Sequence, residues 1–116
     1  MQRLGKRENN ASATLTFPAG AVVTAGTYPL DMPYPATVTT LAYEVGSAAG
    51  SFTVSITNAG TNITGLASIA VSSATTATVT ATAGNAIAAG TRVAFVISAV
   101  SGSPTGAVLV LTWQRA

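Results

Sequence analysis

Apolar and polar residues alternate with a period of two along most of this 116-residue chain, and that alternation leaves few folds open. Successive side chains of a strand point to opposite faces, so a period of two marks a half-buried β-strand. Residues 51–58 read SFTVSITN, with Phe52, Val54 and Ile56 on one face and Ser51, Thr53, Ser55 and Thr57 on the other. Residues 75–83 set Ala77, Val79 and Ala81 against Thr76, Thr78, Thr80 and Thr82. In residues 107–113, Ala107, Leu109, Leu111 and Trp113 oppose Val108, Val110 and Thr112, so both faces are covered. Residues 92–100 are apolar on both sides as well. Doubly apolar strands suit a sandwich core or a subunit interface, and Trp113, Leu111 and Leu109 are expected in one or the other.

Further strands are expected at residues 13–17, 21–28, 37–45, 62–66 and 69–73. Gly, Pro, Asn and Ser clusters punctuate them, at residues 18–20, 46–50, 58–60, 84–85, 89–90 and 101–106. No window combines helix caps with 3.6-residue spacing over the length a helix normally takes. Residues 28–35 (YPLDMPYP) carry Pro29, Pro33 and Pro35, which bar them from a central strand and make them a crossing loop or an edge segment. The expectation is an all-β chain: an antiparallel sandwich or barrel of eight or nine short strands. Residues 1–10 (MQRLGKRENN) have no apolar periodicity and read as an N-terminal arm ahead of one domain at 11–116.

Composition then narrows the chemistry. The chain has no histidine and no cysteine. Without imidazole or thiol there is no Ser–His or Cys–His nucleophile pair, no His or Cys metal ligand and no disulfide framework. Neither an enzyme nor a cofactor or metal site is expected. Charge is equally scarce, with five bases and three acids in all. Arg3, Lys6, Arg7 and Glu8 of the arm account for the whole net charge of +2, while Asp31, Glu44, Arg92 and Arg115 sum to zero. A nucleic-acid binder needs clustered bases and stacking aromatics, so nucleic acid is not an expected partner. The polar residues Glu8, Asn9, Asn10 and Ser12 stand where the apolar stretch of an export signal would begin. The longest strongly apolar run, residues 93–97, is far shorter than a membrane span, so no membrane partner is expected.

Other candidate sites have plainer readings. Asp31 sits in the proline segment and Glu44 alternates onto a solvent face beside Tyr43 and Val45, so their spacing gives no sign of a glycosidase carboxylate pair. The Thr76–Thr82 hydroxyl rank resembles the ranks of ice-binding surfaces, but those need several in register and only Thr14/Thr16 and Thr37/Thr39 echo it. A solvated face of β-branched residues accounts for it better. Asn10-Ala-Ser12 and Asn62-Ile-Thr64 match the glycosylation sequon by chance in a Ser/Thr-rich chain. Tyr28, Tyr34, Tyr43 and Trp113 offer a sugar-stacking platform or, more economically, core and interface packing.

Strands of high β-propensity without charge invite edge-to-edge aggregation unless something covers them. The single lysine lies in the arm. A partner is therefore expected over the edges: an obligate homo-oligomer or a subunit of a larger shell.

The segments Gly60-Thr-Asn-Ile-Thr-Gly-Leu66 and Ile69-Ala-Val-Ser-Ser73, the alternating Ala/Thr strand, Gly90, the run 93–100 and Ser101-Gly-Ser-Pro104 follow an order that resembles small β-sandwich virion proteins of tailed phages. These are head decoration or head-fibre proteins and tail-fibre modules. Gly26-Thr-Tyr-Pro29 followed by Ala36-Thr-Val-Thr-Thr-Leu41 fits the first half of the pattern, so the resemblance spans about residues 20–113. It implies a jelly-roll-like antiparallel sandwich of about eight strands, commonly trimeric, with a structural or surface-binding role. A single domain behind a short basic arm is closer to a decoration (cement) protein on the capsid surface of the virion, made in the host cytoplasm, than to a fibre module with its own shaft. Its partners would be the major capsid protein or other virion subunits, and Arg3, Lys6 and Arg7 would meet carboxylates on the shell. The alternative is a tail-fibre, spike or head-fibre module that binds host-surface carbohydrate.

Overall fold

Hydrophobic alternation becomes two facing sheets in the computed structural model, which describes residues 10–18, 20–45, 50–72 and 76–115. Ten strands run β1 (Asn10–Thr16), β2 (Gly26–Met32), β3 (Ala36–Val45), β4 (Gly50–Asn58), β5 (Thr61–Asn62), β6 (Ile69–Ser72), β7 (Thr76–Thr80), β8 (Ala86–Ile87), β9 (Thr91–Gly102) and β10 (Ala107–Arg115). One sheet has the order β1-β10-β3-β7, with β8 also on β3; the other is β2-β9-β4-β5, with β6 also on β4. Every pairing is antiparallel.

The pairs are nested. β1 pairs with β10, β2 with β9, β3 with β7 and β4 with β6, so the chain forms one long hairpin rolled into two layers. Setting aside the two-residue strands β5 and β8, the eight strands have the connectivity of a jelly roll. The sandwich is thus the expected fold, with ten strands in place of about eight. β5 and β8 are too short to carry a sequence pattern of their own.

The core lies between the sheets, where the register stacks inward residues in rows. Leu15, Leu109, Tyr43 and Ala77 form one row, and Ala13, Leu111, Leu41 and Val79 the next. Phe52, Val54 and Ile56 of β4 and Val93, Phe95 and Ile97 of β9 face them from the second sheet, all buried. Each fully buried side chain of this size contributes about 1.5–3 kcal/mol. A bulge at Thr39 switches the phase of β3: Thr112 pairs with Thr40, Trp113 with Val38, and Thr39 donates its hydroxyl to the Thr112 carbonyl at 3.0 Å.

Two expectations need correction. The strand placed at residues 21–28 starts at Gly26 and continues through Pro29 to Met32. Residues 21–25 contribute only an isolated bridge, Val22 to Thr105. The proline segment is thus an edge strand over most of its length, tolerable because β2 has a neighbour, β9, on one side only. The strand placed at residues 62–66 shrinks to Thr61–Asn62, because Ile63 and Leu66 turn inward and are fully buried. The turn expected at 46–50 falls mostly outside the described residues, as do residues 73–75.

Candidate functional site

Inward side chains of the described residues form one hydrophobic core cluster, and the outer faces present most of the hydroxyls. The outer face of the β1-β10-β3-β7 sheet is ordered in three rows: Ser12–Thr112–Thr40–Thr80, Thr14–Val110–Ala42–Thr78 and Thr16–Val108–Glu44–Thr76. The Thr76/Thr78/Thr80 rank and the Ser12/Thr14/Thr16 rank therefore share one face. They border it, and Val108, Val110 and Ala42 lie between them, where an ice-binding plane would need more hydroxyls. Thr37 and Thr39 do not extend the pattern, because the bulge separates them. A shallow depression of about 150 Å³ lies over this strip, lined by Ala42, Tyr43, Glu44, Thr76, Val108 and Val110.

The outer face of the other sheet is built from similar residues. Thr27, Pro29 and Asp31 of β2 pair across to Val96, Ala94 and Arg92, and β4 adds Ser55 and Thr57. Its depression of about 240 Å³ is lined by Thr27, Thr57, Ala59, Gly60, Arg92 and Ala94. Both depressions fall below the roughly 300–1,000 Å³ of ordinary small-molecule sites.

Asp31 and Glu44 lie on the outer faces of opposite sheets, so they cannot act on one substrate bond. Asp31 accepts a hydrogen bond from Arg92 Nε at 3.1 Å, with both side chains largely in solvent. Among the described residues no group of three or more Asp or Glu side chains could hold a metal ion. The described residues contain no helix long and apolar enough to cross a membrane.

The aromatic residues do not form one platform. Tyr43 and Trp113 are buried in the core. Tyr28 is half-buried, packs edge-on against Phe17 at 5.6 Å and donates its hydroxyl to the Thr24 carbonyl. Only Tyr34 and Trp113 meet: the buried indole N–H donates to the Tyr34 hydroxyl at 3.2 Å, and the Arg115 guanidinium lies 4.3 Å from the centre of the Tyr34 ring. Leu109 and Leu111 are fully buried beside Trp113 on β10. Arg3, Lys6 and Arg7 lie outside the described residues.

Edges complete the surface. Among the described residues β1, NASATLT, has a neighbouring strand on one side only, and it carries neither charge nor proline. β2 carries the devices that β1 lacks, Pro29 and Asp31. The sequence singled out Tyr34 only as one of four candidate stacking aromatics, and it did not single out Arg115 or Arg92. Their placement depends on the long-range pairings Arg115–Ala36 and Arg92–Asp31, which no local pattern encodes.

No protein-family model matches the sequence, and no curated protein matches it either. Among solved structures, the fold is similar to a chain of the cyanophage Pam1 capsid asymmetric unit, with a TM-score of 0.53 and 16% identity. The match covers 92% of this chain and 84% of that one. The likeness is one of fold: the rolled antiparallel sandwich described above also occurs in a phage capsid assembly.

Proposed function

We propose that the protein is a structural virion protein of a tailed phage, a decoration (cement) protein that docks on the assembled head and stabilises or decorates it. The observation that carries this reading is the jelly-roll fold, shared over nearly the whole chain with a chain of a phage capsid assembly. The surface agrees with it. Among the described residues both outer faces are mostly Thr, Ser, Ala and Val with few charges, and β1 is an edge strand without charge or proline, as suits a subunit that works by packing. The chain lacks the side chains of most enzyme chemistry, and the two carboxylates that an acid–base pair would need face away from each other.

In this reading Arg3, Lys6 and Arg7 form a docking arm toward carboxylates of the major capsid protein or a neighbouring virion subunit. The chain assembles with further copies of itself, a trimer being favoured, and works on the outer surface of the virion. Quantitative mass spectrometry of purified particles tests the assignment. Copies in the hundreds fit decoration; a few to a dozen fit the alternative, a tail-fibre, spike or head-fibre module, which a glycan array would then support by showing sugar specificity. Deleting residues 1–8 should weaken capsid binding, and unchanged binding removes the arm from the proposal. Sedimentation that finds a stable soluble monomer at micromolar concentration counts against self-assembly.

A further inference from the structure

The hydrogen bonds of β1 fix which of its backbone groups are turned away from the sheet. The Phe17 N–H donates to the Ala107 carbonyl at 2.7 Å, which continues the β1-β10 ladder one residue beyond the Thr16–Val108 pair. Along an antiparallel strand the N–H and C=O groups of successive residues point to alternate sides, so Ala11, Ala13 and Leu15 share the phase of Phe17 and bond to β10. The N–H and C=O groups of Asn10, Ser12, Thr14 and Thr16 point the other way, where the described residues place no strand. The inner row is unfinished on that same side. Ala11, Ala13, Leu15 and Phe17 pack against the core yet are only half-buried, as are Leu30 and Tyr28 of β2, whose ring meets Phe17. The other edges are shorter or guarded. β2 carries Pro29 and Asp31, β6 has four residues, and just past β7 the Thr82 N–H and the Ala83 carbonyl are already bonded to Thr64.

We propose that β1 pairs with β1 of a second copy, antiparallel about a two-fold axis at Ala13, so that the two β1-β10-β3-β7 sheets become one. This names the contact for the self-assembly proposed above, on which it rests. The register follows from the free groups, since only the even-numbered residues can bond across the seam. Setting Ser12 against Thr14 of the partner subunit, and Asn10 against Thr16 of the partner subunit, uses the whole strand. It forms about eight backbone hydrogen bonds, against roughly ten in a typical interface. The same register keeps both faces in phase. Ser12 and Thr14 of the partner subunit meet as a hydroxyl pair outside, and Ala11 lies opposite Leu15 of the partner subunit inside, which prolongs the apolar row. β1 brings no charge to the seam, so like charges do not oppose each other across the axis. The strip is about 23 Å long and, taking in both sheet edges, about 20 Å wide. A pair therefore buries on the order of 900 Å² in all, the size of a reversible contact rather than a permanent one. Being isologous, it closes at two copies and is independent of any three-fold contact elsewhere on the chain.

The full chain has no cysteine, so single cysteines report the register. On the axis the two Ala13 Cα atoms would stand about 4.5 Å apart, within disulfide reach, whereas the two Ser12 positions lie about 7–8 Å apart on a diagonal, beyond it. Oxidised Ala13→Cys at about 50 µM should therefore run as a covalent dimer, roughly fivefold more abundant than with Ser12→Cys. Sedimentation between about 1 and 100 µM should show the wild-type chain associating, with Thr14→Pro weakening association roughly tenfold. That proline removes an outward N–H and leaves the β10 ladder intact. Thr14→Lys takes its place if circular dichroism shows Thr14→Pro unfolded. Removing residues 1–8 should leave association unchanged. Stronger cross-linking at Ser12, or an assembly indifferent to both Thr14 variants, overturns this contact and leaves self-assembly through another face standing. Association that appears only once residues 1–8 are removed makes that segment the occupant of the edge and overturns it too. A monomer throughout removes this contact and self-assembly together, while the virion assignment is read separately, from copies per particle.

Discussion

Replacing Gly65 with alanine tests how closely the two sheets are clasped. Gly65 has φ +94°, in the left-handed region, and its missing side chain faces the backbone of the opposite sheet. A methyl group there would collide with the Thr80 carbonyl oxygen and lie 3.1 Å from the Thr82 nitrogen and 3.2 Å from the Ala81 Cα. All three are backbone atoms, which cannot swing aside as a side chain can. Two hydrogen bonds cross this point: Thr64 N–H to the Ala83 carbonyl at 3.0 Å and Thr82 N–H to the Thr64 carbonyl at 2.8 Å. The left-handed conformation costs an alanine about 1–2 kcal/mol. Losing the two bonds adds about 1 kcal/mol each, for a total near 3–4 kcal/mol. Gly60 supplies the control. Its φ is +88°, but an added methyl would meet no atom within 4 Å, so Gly60→Ala should show only the conformational cost. Urea unfolding of both variants, with slopes near 2 kcal/mol/M, should separate their midpoints by about 1 M. Coincident midpoints would refute the close approach as the reason for glycine at 65.

Three further outcomes follow from single contacts. Ala59 (φ 53°) and Gly60 form the two-residue turn between paired Asn58 and Thr61, where Asn-Gly is the preferred sequence, so Ala59→Asn should raise stability by about 1 kcal/mol, read as a higher melting temperature. Tyr34→Phe removes the acceptor of a buried indole N–H and should cost about 1–3 kcal/mol, with a shift in the fluorescence of the sole tryptophan. Leu111 is fully buried on an inner strand, and Leu111→Ala should cost about 2–5 kcal/mol in chemical unfolding, a large part of a typical domain's stability.

The sheets were legible wherever one face is buried and the other wet. Phe52/Val54/Ile56 and the Thr76–Thr80 rank appear in the structure on the faces that their alternation assigns. Glu44 lies outside and Tyr43 and Val45 inside, as the local pattern of β3 requires. Elsewhere local rules had competing outcomes. Pro29 excludes a central strand but permits an edge, and only the sheet order decides between loop and edge. The Thr39 bulge and the left-handed Ala99, which lies where β9 shifts register against β4, occur without a glycine to mark them. The end of the sandwich that carries Asp31, Arg92 and Arg115 was hidden for a different reason. Arg92 and Arg115 cancel Asp31 and Glu44 in a charge count along the chain, and only the pairing of distant segments separates Glu44 from the other three.

The nested pairing also orders the path by which the chain can fold. Joining Val54 to Ile69 closes a loop of about 15 residues, whereas joining Leu15 to Leu109 from an open chain closes about 94 and costs about 1.6 kcal/mol more in entropy. Once the inner pair holds, each outer pair need only close the short connections that remain. Folding is therefore favoured to zip outward from the β4–β6 turn, and the β1-β10 seam is the last to close and the first to fray. That seam joins Asn10 to Gln114, so the loosest part of the sandwich lies at the end where Arg115 pairs with Ala36. Any partner held at that end would slow unfolding at the place where unfolding begins.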